Sequence, residues 1–145
     1  MKVFLFDYLS RHAQAIIYSL KGQGYRVIVG TDRIPRYHFG VSEFVQWDGR
    51  IGSLLELLSK QGIRVVMPIS IDSFRFCAQE KATLTGHGIK VLVSDLSTWQ
   101  QFYNKALTYE MAAGQGIPVP RSVRITPENY REEIAAAKLN FKLVI

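Results

Sequence analysis

Residues 2–30, KVFLFDYLSRHAQAIIYSLKGQGYRVIVG, decide the fold that the sequence predicts. Two short apolar runs, at residues 2–6 and 25–30, flank a segment in which apolar residues recur at helical spacing. That helix is expected at about residues 11–23, with Ser10 placed to cap its start and glycines placed to end it. A strand, a helix and a second strand in this order indicate a parallel sheet covered by helices.

The same alternation continues downstream as far as residue 94. Further strands are predicted at residues 43–47, 64–69 and 90–94, and helices at 51–61 and from Asp72 or Ser73 to about Gly86. The predicted fold class is therefore α/β, a Rossmann-like parallel sheet of about five strands with flanking helices.

The chain after residue 94 has a different pattern. A helix at 95–103 precedes Asn104, which can cap a further helix to about Gln115. Pro118 and Pro120 then force an extended connector. A strand at 121–125, a helix at 127–139 and a strand at 141–145 follow. We interpret this as one domain at residues 1–103 and the incomplete beginning of another at 104–145.

Composition excludes several classes of protein. The 145 residues are 48% hydrophobic and 21% charged, as in globular domains, and no apolar run approaches the length of a membrane span. The N-terminus lacks the apolar core of a signal peptide, so a cytoplasmic location without a membrane partner is predicted. The 18 Lys and Arg residues give a net charge of +6 but form no basic run, which argues against a nucleic-acid partner. The single cysteine, Cys77, is expected to be a buried small residue.

Common cofactor signatures are also missing from the sequence. Residues 1–21 contain no glycine, so the phosphate-binding turn of NAD and FAD proteins is absent. Asp32 is accordingly interpreted as a loop carboxylate that caps nearby backbone. A Walker A motif is absent, and His12, His38 and His87 lack the spacing of metal ligands. No metal site is expected within this chain.

Candidate substrate-binding residues follow the first and fourth strands. In a doubly wound sheet, ligands bind at the carboxyl ends of the strands. For Asp72, contact with a substrate and capping of the next helix are both open. The candidates are Asp7, Tyr8, Ser10, Arg11, Asp72 and Ser73.

The order of these pieces resembles the ATP-grasp ligases, particularly carbamoyl phosphate synthase large subunits, biotin carboxylase and carboxylate-amine ligase-like proteins. The most specific match is NKALTYEMAAGQGIPVPRS at residues 104–122, which is similar to the junction before the ATP-binding domain. FKLVI at 141–145 looks like a strand that stops before a nucleotide-binding lysine. The segments at residues 10–32 and 65–74 are similar to the family's N-terminal domain.

The resemblance implies that Lys105 contacts ATP, with Asn104 standing where the family commonly has Asp. It implies ATP and Mg²⁺ (or Mn²⁺) as cofactors, and catalytic residues beyond Ile145. The implied reaction activates a carboxylate as an acyl phosphate and joins it to an amine or similar nucleophile. This fragment alone is then expected to be inactive.

Three matters stay open at the level of sequence: the kind of function, the assembly and the substrates. The alternative function is a stand-alone Rossmann-like module that binds a small anionic ligand without catalysis. A homodimer is one assembly that the sequence allows, and the small-molecule carboxylate and amine substrates cannot be named from a fold-level resemblance.

Overall fold

A computed structural model describes residues 1–137 of the chain. The chain divides into two compact units, Met1–Trp99 and a second that begins at Gln100. The strands are β1 (Lys2–Leu5), β2 (Arg26–Thr31), β3 (Glu43–Gln46), β4 (Val65–Met67) and β5 (Lys90–Val91). The helices are α1 (Arg11–Gly22), α2 (Ile51–Gln61), α3 (Ile71–Gln79), α4 (Lys81–Gly86), α5 (Leu96–Tyr103), α6 (Lys105–Gly114) and α7 (Tyr130–Ala137).

The five strands form one parallel sheet in the order β3-β2-β1-β4-β5. β1 is central, and its residue Val3 lies opposite Val27 of β2. Parallel neighbours require crossover connections, which the helices between the strands supply. The predicted five-stranded α/β fold is confirmed.

Alternate residues of the strands enter two separate cores, one on each face of the sheet. Phe4 and Ile28 pack with α2, α3 and α4 on one face, whereas Val3, Leu5 and Val27 pack with α1 on the other. This is the period-two alternation of a strand, applied to a sheet covered on both sides. Each fully buried large side chain stabilises the fold by about 1.5–3 kcal/mol.

The segment after β4 differs from the single helix that the sequence predicts. Ser70 is the N-cap of α3, and its Oγ accepts a hydrogen bond from the backbone N–H of Ser73 at 3.3 Å. Asp72 therefore lies in the first turn of α3 and is not its cap. The helix ends at Glu80, whose backbone (φ −96°, ψ 11°) is outside the α range, and α4 begins afresh to bury Leu84.

The second unit keeps two of the predicted features and changes two. Asn104 caps α6, because its Oδ1 accepts hydrogen bonds from the N–H groups of Ala106 and Leu107 at 3.0 and 3.4 Å. Residues 117–126, which contain the two prolines, form a connector without helix or strand. Residues 121–125, predicted as a strand, are not in a strand of the described part of the chain. The predicted helix begins at Tyr130 after a turn, and the strand predicted at 141–145 lies outside the described residues.

None of the helices within residues 1–137 combines the length and the apolar character needed to cross a bilayer.

Candidate functional site

The connections of the sheet create a crevice at the carboxyl ends of its strands. Strand order reverses between β1 and β4, so the loops that follow these two strands leave toward opposite faces of the sheet. Ligands of open α/β sheets bind at such a switch point. We call this region the switch crevice; it comprises residues 6–10, 30–32, 47–49 and 68–76.

Two cavities occupy the switch crevice. The first, which we call the acidic cavity, has a volume of about 390 Å³. Its lining residues are Phe6, Asp7, Tyr8, Gly30, Thr31, Asp32, Trp47, Asp48 and Gly49. The second, which we call the aromatic cavity, has a volume of about 260 Å³. Its lining residues are Phe6, Trp47, Ser70, Asp72, Ser73 and Phe76.

Phe6 and Trp47 line both cavities and belong to a cluster of aromatic rings. The Phe6 ring lies 5.3 Å from Trp47 and 5.8 Å from Phe76, centroid to centroid, and the Trp47 and Phe76 rings are 5.4 Å apart. All three pairs have the edge-to-face geometry that aromatic rings prefer. Two rings from the residues that directly follow β1 and β3, and one from α3, thus meet at one point of the crevice.

Gly30 allows the rings of Phe6 and Trp47 to meet. Trp47 follows β3, an edge strand, and β2, which contains Gly30, lies between β3 and β1. A Cβ atom at Gly30 would lie 2.4 Å from Cζ of Phe4. Phe4 in turn contacts both Phe6 and Trp47, with centroid distances of 5.1 and 6.4 Å. The missing side chain at Gly30 therefore leaves room for the ring that connects the ends of β1 and β3.

Asp7 and Ser10 act together at the start of α1. The backbone N–H of Leu9 donates to Asp7 Oδ1 at 3.0 Å, and the N–H of Ala13 donates to Ser10 Oγ at 3.1 Å. Partial burial acts to raise the pKa of Asp7. Hydrogen bonds from the Ser10 hydroxyl and from the N–H groups of Leu9, Tyr8 and Ser10 outweigh it, so that the pKa lies below its ordinary value. Both side chains hold the loop, and Asp7 also faces the acidic cavity.

Tyr8 and Arg11 have different surroundings. The Tyr8 ring packs edge-to-face on Phe44 at 4.9 Å and lies 5.7 Å from Phe39. Tyr8 thereby forms one wall of the acidic cavity and is held against the core on the α1 face. Arg11 is the exposed first residue of α1, and neither it nor Ser10 lines the two cavities. The structure thus separates Asp7 and Tyr8 from the two other candidates of this loop.

Asp48 is an acid of the crevice that the sequence analysis did not select. Its carboxylate accepts a hydrogen bond from the backbone N–H of Arg50 at 3.0 Å and pairs with Arg50 Nε at 2.6 Å. Hydrogen bonds from the Ser53 hydroxyl and from Arg50 lower the pKa of Asp48 to about 2. Asp48 therefore stabilises the start of α2. The N-cap residue of this helix, Arg50, makes no capping hydrogen bond with its own side chain.

The two candidates after β4 also divide into different roles. The Ser73 side chain is buried; its Oγ accepts from the backbone N–H of Ile69 at 3.0 Å and donates to the carbonyl oxygen of Ser70 at 2.8 Å. Its hydrogen-bonding capacity is thus used by the loop. Asp72 is exposed at the start of α3 and lines the aromatic cavity.

Asp32 lies on the acidic cavity with an exposed side chain. Its Oδ1 is 3.4 Å from the Thr31 hydroxyl, and its backbone carbonyl is 3.5 Å from Nε2 of Gln46. The sequence predicts that the Asp32 carboxylate caps nearby backbone. In the structure this carboxylate contacts the Thr31 hydroxyl.

The second unit contains the largest of these cavities, which we call the basic cavity. It has a volume of about 580 Å³. Its walls come from α6 and from the segment after it: Lys105, Ala106, Tyr109, Glu110, Ala113, Val119, Pro120, Arg121, Ser122, Val123 and Arg124. Lys105 is exposed at the first position of α6. Three basic side chains and one carboxylate thus line one cavity.

Within residues 1–137, no three His, Cys, Asp or Glu side chains come together in a group that could hold a metal ion.

The aromatic cluster is the feature of the site that sequence reasoning missed. Phe6 and Trp47 appear in the sequence as the last residues of predicted strands. The available signal was that both aromatic residues directly precede an aspartate at a strand end. Their meeting depends on the order of the strands, which the sequence pattern does not specify.

No family model and no curated protein matches the sequence, but solved structures match its fold. The biotin carboxylase domain of a single-chain bacterial carboxylase aligns with a TM-score of 0.63 and 17% identity, over 93% of this chain and 34% of that chain. Glycinamide-RNase-transformylase T from Mycobacterium tuberculosis aligns with a TM-score of 0.61 and 12% identity, over 93% of this chain and 38% of that chain.

A third match is N5-carboxyaminoimidazole ribonucleotide synthetase from Thermotoga maritima. It has a TM-score of 0.55 and 21% identity, over 90% of this chain and 36% of that chain. This chain thus spans about a third of the length of each of these solved chains, and identities at this level establish a shared fold.

Proposed function

Because this chain has the fold of the N-terminal region of ATP-grasp enzymes, we propose that it forms the substrate-crevice part of an ATP-grasp ligase. The observation that supports this proposal is the similarity of fold, which extends over 93% of the chain in two of the matches. We propose that the reaction belongs to a longer natural protein that contains this chain, since the alignments cover only 34% and 38% of the two solved chains.

The proposed reaction has two steps. A carboxylate oxygen of the substrate attacks the γ-phosphorus of ATP, and the bond to the β-phosphate oxygen breaks to give an acyl phosphate and ADP. An amine then attacks the acyl carbon, releases inorganic phosphate and loses a proton, which leaves an amide. Bound Mg²⁺ or Mn²⁺ would offset negative charge on the phosphates.

Lys105 is the proposed ATP contact of this chain. The amides of Ala106 and Leu107 already donate to Asn104, so they are not available to a phosphate. The positive charge of Lys105, with Arg121 and Arg124 on the same cavity, would then provide the attraction.

The proposal is tested with the natural protein, ATP and a matrix of carboxylates and amines. We expect ADP and inorganic phosphate to form only with a productive pair, and hydroxylamine to trap the acyl phosphate as a hydroxamate. Formation of AMP and pyrophosphate would contradict it, and so would failure of every carboxylate to stimulate ATP cleavage. The 145-residue chain alone is expected to release no phosphate. Tight binding of a small anion by a natural protein without ATP cleavage would favour the stand-alone module.

Lys105→Gln tests the ATP contact in the same natural protein. Loss of a charge that meets phosphate is expected to raise the KM for ATP by about tenfold or more, a loss of about 1.4 kcal/mol in binding. Lys60→Gln is the matched control, because Lys60 is equally exposed but lies in the last turn of α2. An unchanged KM for ATP in the Lys105 variant would remove Lys105 from the site.

A further inference from the structure

Charge is distributed unevenly between the cavities of this protein. The chain carries a net charge of +6, yet no lysine or arginine among the described residues lines the acidic or the aromatic cavity. Four carboxylates line them instead, those of Asp7, Asp32, Asp48 and Asp72. The basic cavity has the opposite composition, with three cationic side chains. The switch crevice is thus locally negative in a positively charged chain.

Not all four carboxylates are equally available to a ligand. Asp48 is paired with Arg50, and Asp7 is held by the loop that begins α1. Asp32 and Asp72 are exposed at the edges of the two cavities. Asp48 is exposed too but is paired with Arg50, whereas Asp32 and Asp72 belong to no ion pair among residues 1–137, so these two charges are the most available to a ligand.

The walls between those charges include the three rings of the aromatic cluster, Phe6, Trp47 and Phe76. The indole Nε1 of Trp47 donates to the backbone carbonyl of Arg50 at 2.9 Å, and Phe6 and Phe76 have no polar atom in their side chains. What the cluster presents to a ligand is therefore ring surface. The faces of aromatic rings attract cations, and an aromatic cage is the usual protein site for an organic ammonium group.

We infer that the switch crevice binds a small organic cation, an ammonium group on an apolar skeleton, against the cavity-facing surfaces of the Phe6, Trp47 and Phe76 rings, with Asp32 and Asp72 as counter-charges. The volumes of about 390 and 260 Å³ suit a small molecule. A carboxylate ligand is disfavoured there, because like charges repel in a partly desolvated cavity. That this cation is part of the amine substrate rests on the proposed function; the binding itself does not.

The test uses three probes of nearly equal shape and different charge, added to the ¹⁵N-labelled 145-residue chain. Choline is the cation, 3,3-dimethylbutan-1-ol is neutral, and 3,3-dimethylbutanoate is the anion. The protein has two tryptophans, Trp47 and Trp99, whose indole N–H resonances are distinguished with Trp99→Phe. We expect choline to shift the Trp47 resonance with a Kd of about 1 mM, and the neutral and anionic probes to bind at least about fivefold more weakly.

Variants then separate the rings from the charges. Asp32→Asn with Asp72→Asn is expected to weaken choline binding by about fivefold or more, whereas Glu56→Gln, on the exposed face of α2, leaves it unchanged. Trp47→Phe is expected to weaken binding because tryptophan is the strongest partner for a cation. Circular dichroism checks that each variant is folded.

Equal affinity for the neutral probe would overturn the inference, as would a choline shift confined to Trp99 or no choline binding at all. The proposed function fails differently. It is lost if the natural protein does not cleave ATP with any carboxylate, and choline can still bind in that case. If ATP cleavage occurs but choline does not bind, only the cation site is refuted.

Discussion

At the scale of single residues, Gly30 sets the geometry of the crevice. It lies at the end of β2 with Phe4 against its α-carbon, and Phe4 supports the rings that line both cavities. Its backbone is ordinary strand, so the requirement is for space and not for an unusual conformation. Gly30 contributes to the site because it has no side chain, which leaves space for the Phe4 ring.

Gly30→Ala is expected to lower the free energy of unfolding by about 1–3 kcal/mol, because the new methyl group would overlap the Phe4 ring. Urea denaturation measures the change. Gly52→Ala is the control, since a Cβ at Gly52 meets nothing within 4 Å and alanine favours the helix there. Phe4→Leu should recover part of the loss in the double variant. Equal stability of Gly30→Ala and the parent would show that Phe4 moves aside without cost.

At the scale of elements, each helix next to the crevice begins with a different polar arrangement. α1 uses Ser10 with Asp7, and α3 uses Ser70 with the buried hydroxyl of Ser73. α2 begins at a residue without a side-chain cap and relies on Asp48. Capping groups and candidate ligand groups therefore share the same short loops.

The role of Asp48 predicts a dependence of stability on pH. Its pKa of about 2 in the folded protein is below the ordinary value of 3.8, so the folded state binds this proton less readily than the unfolded state. The contribution of Asp48 is therefore complete above pH 4 and is lost as the pH falls from about 4 to about 2. Urea denaturation of the parent and of Asp48→Asn across this range should show the stability difference shrinking toward low pH. A difference that stays constant with pH would contradict the assignment.

Part of this architecture is predictable from the sequence, and the reasons are local. The strands and α1 follow from alternation, helical spacing and the Ser10 cap, each of which acts within a few residues. The choice between Ser70 and Asp72 as a cap is not decided by residue type, since both can accept from backbone N–H groups; the backbone of Ser70 is extended and decides it. The meeting of Phe6 and Trp47 depends on the strand order and on Gly30, which no local pattern encodes.

At the scale of the whole molecule, both cores are complete within the first compact unit. Their members lie between Val3 and Val93, and the helices on both faces of the sheet end before the unit does. α5 and α6 have no fully buried residue. The hydrophobic residues that cover the two faces of the sheet therefore belong to the first unit.

A chain that ends at Tyr103 is accordingly expected to fold by itself. It retains both hydrophobic clusters and all five strands. Urea should unfold it in one cooperative transition, with a near-ultraviolet circular dichroism spectrum typical of fixed aromatic packing. The 145-residue chain is the reference. A broad transition with no near-ultraviolet signal would mean that residues beyond 103 are needed for the sheet domain.

The position of the N-terminus has a practical consequence for measuring binding. The backbone carbonyl of Met1 accepts from the N–H of Arg26 at 3.0 Å, so the chain starts at the amino end of the sheet. The switch crevice lies at the other end of β1, about 13 Å away at the usual rise of a strand. A biotin or other anchor on the amino terminus would attach the protein to a sensor surface with the crevice directed away from the support.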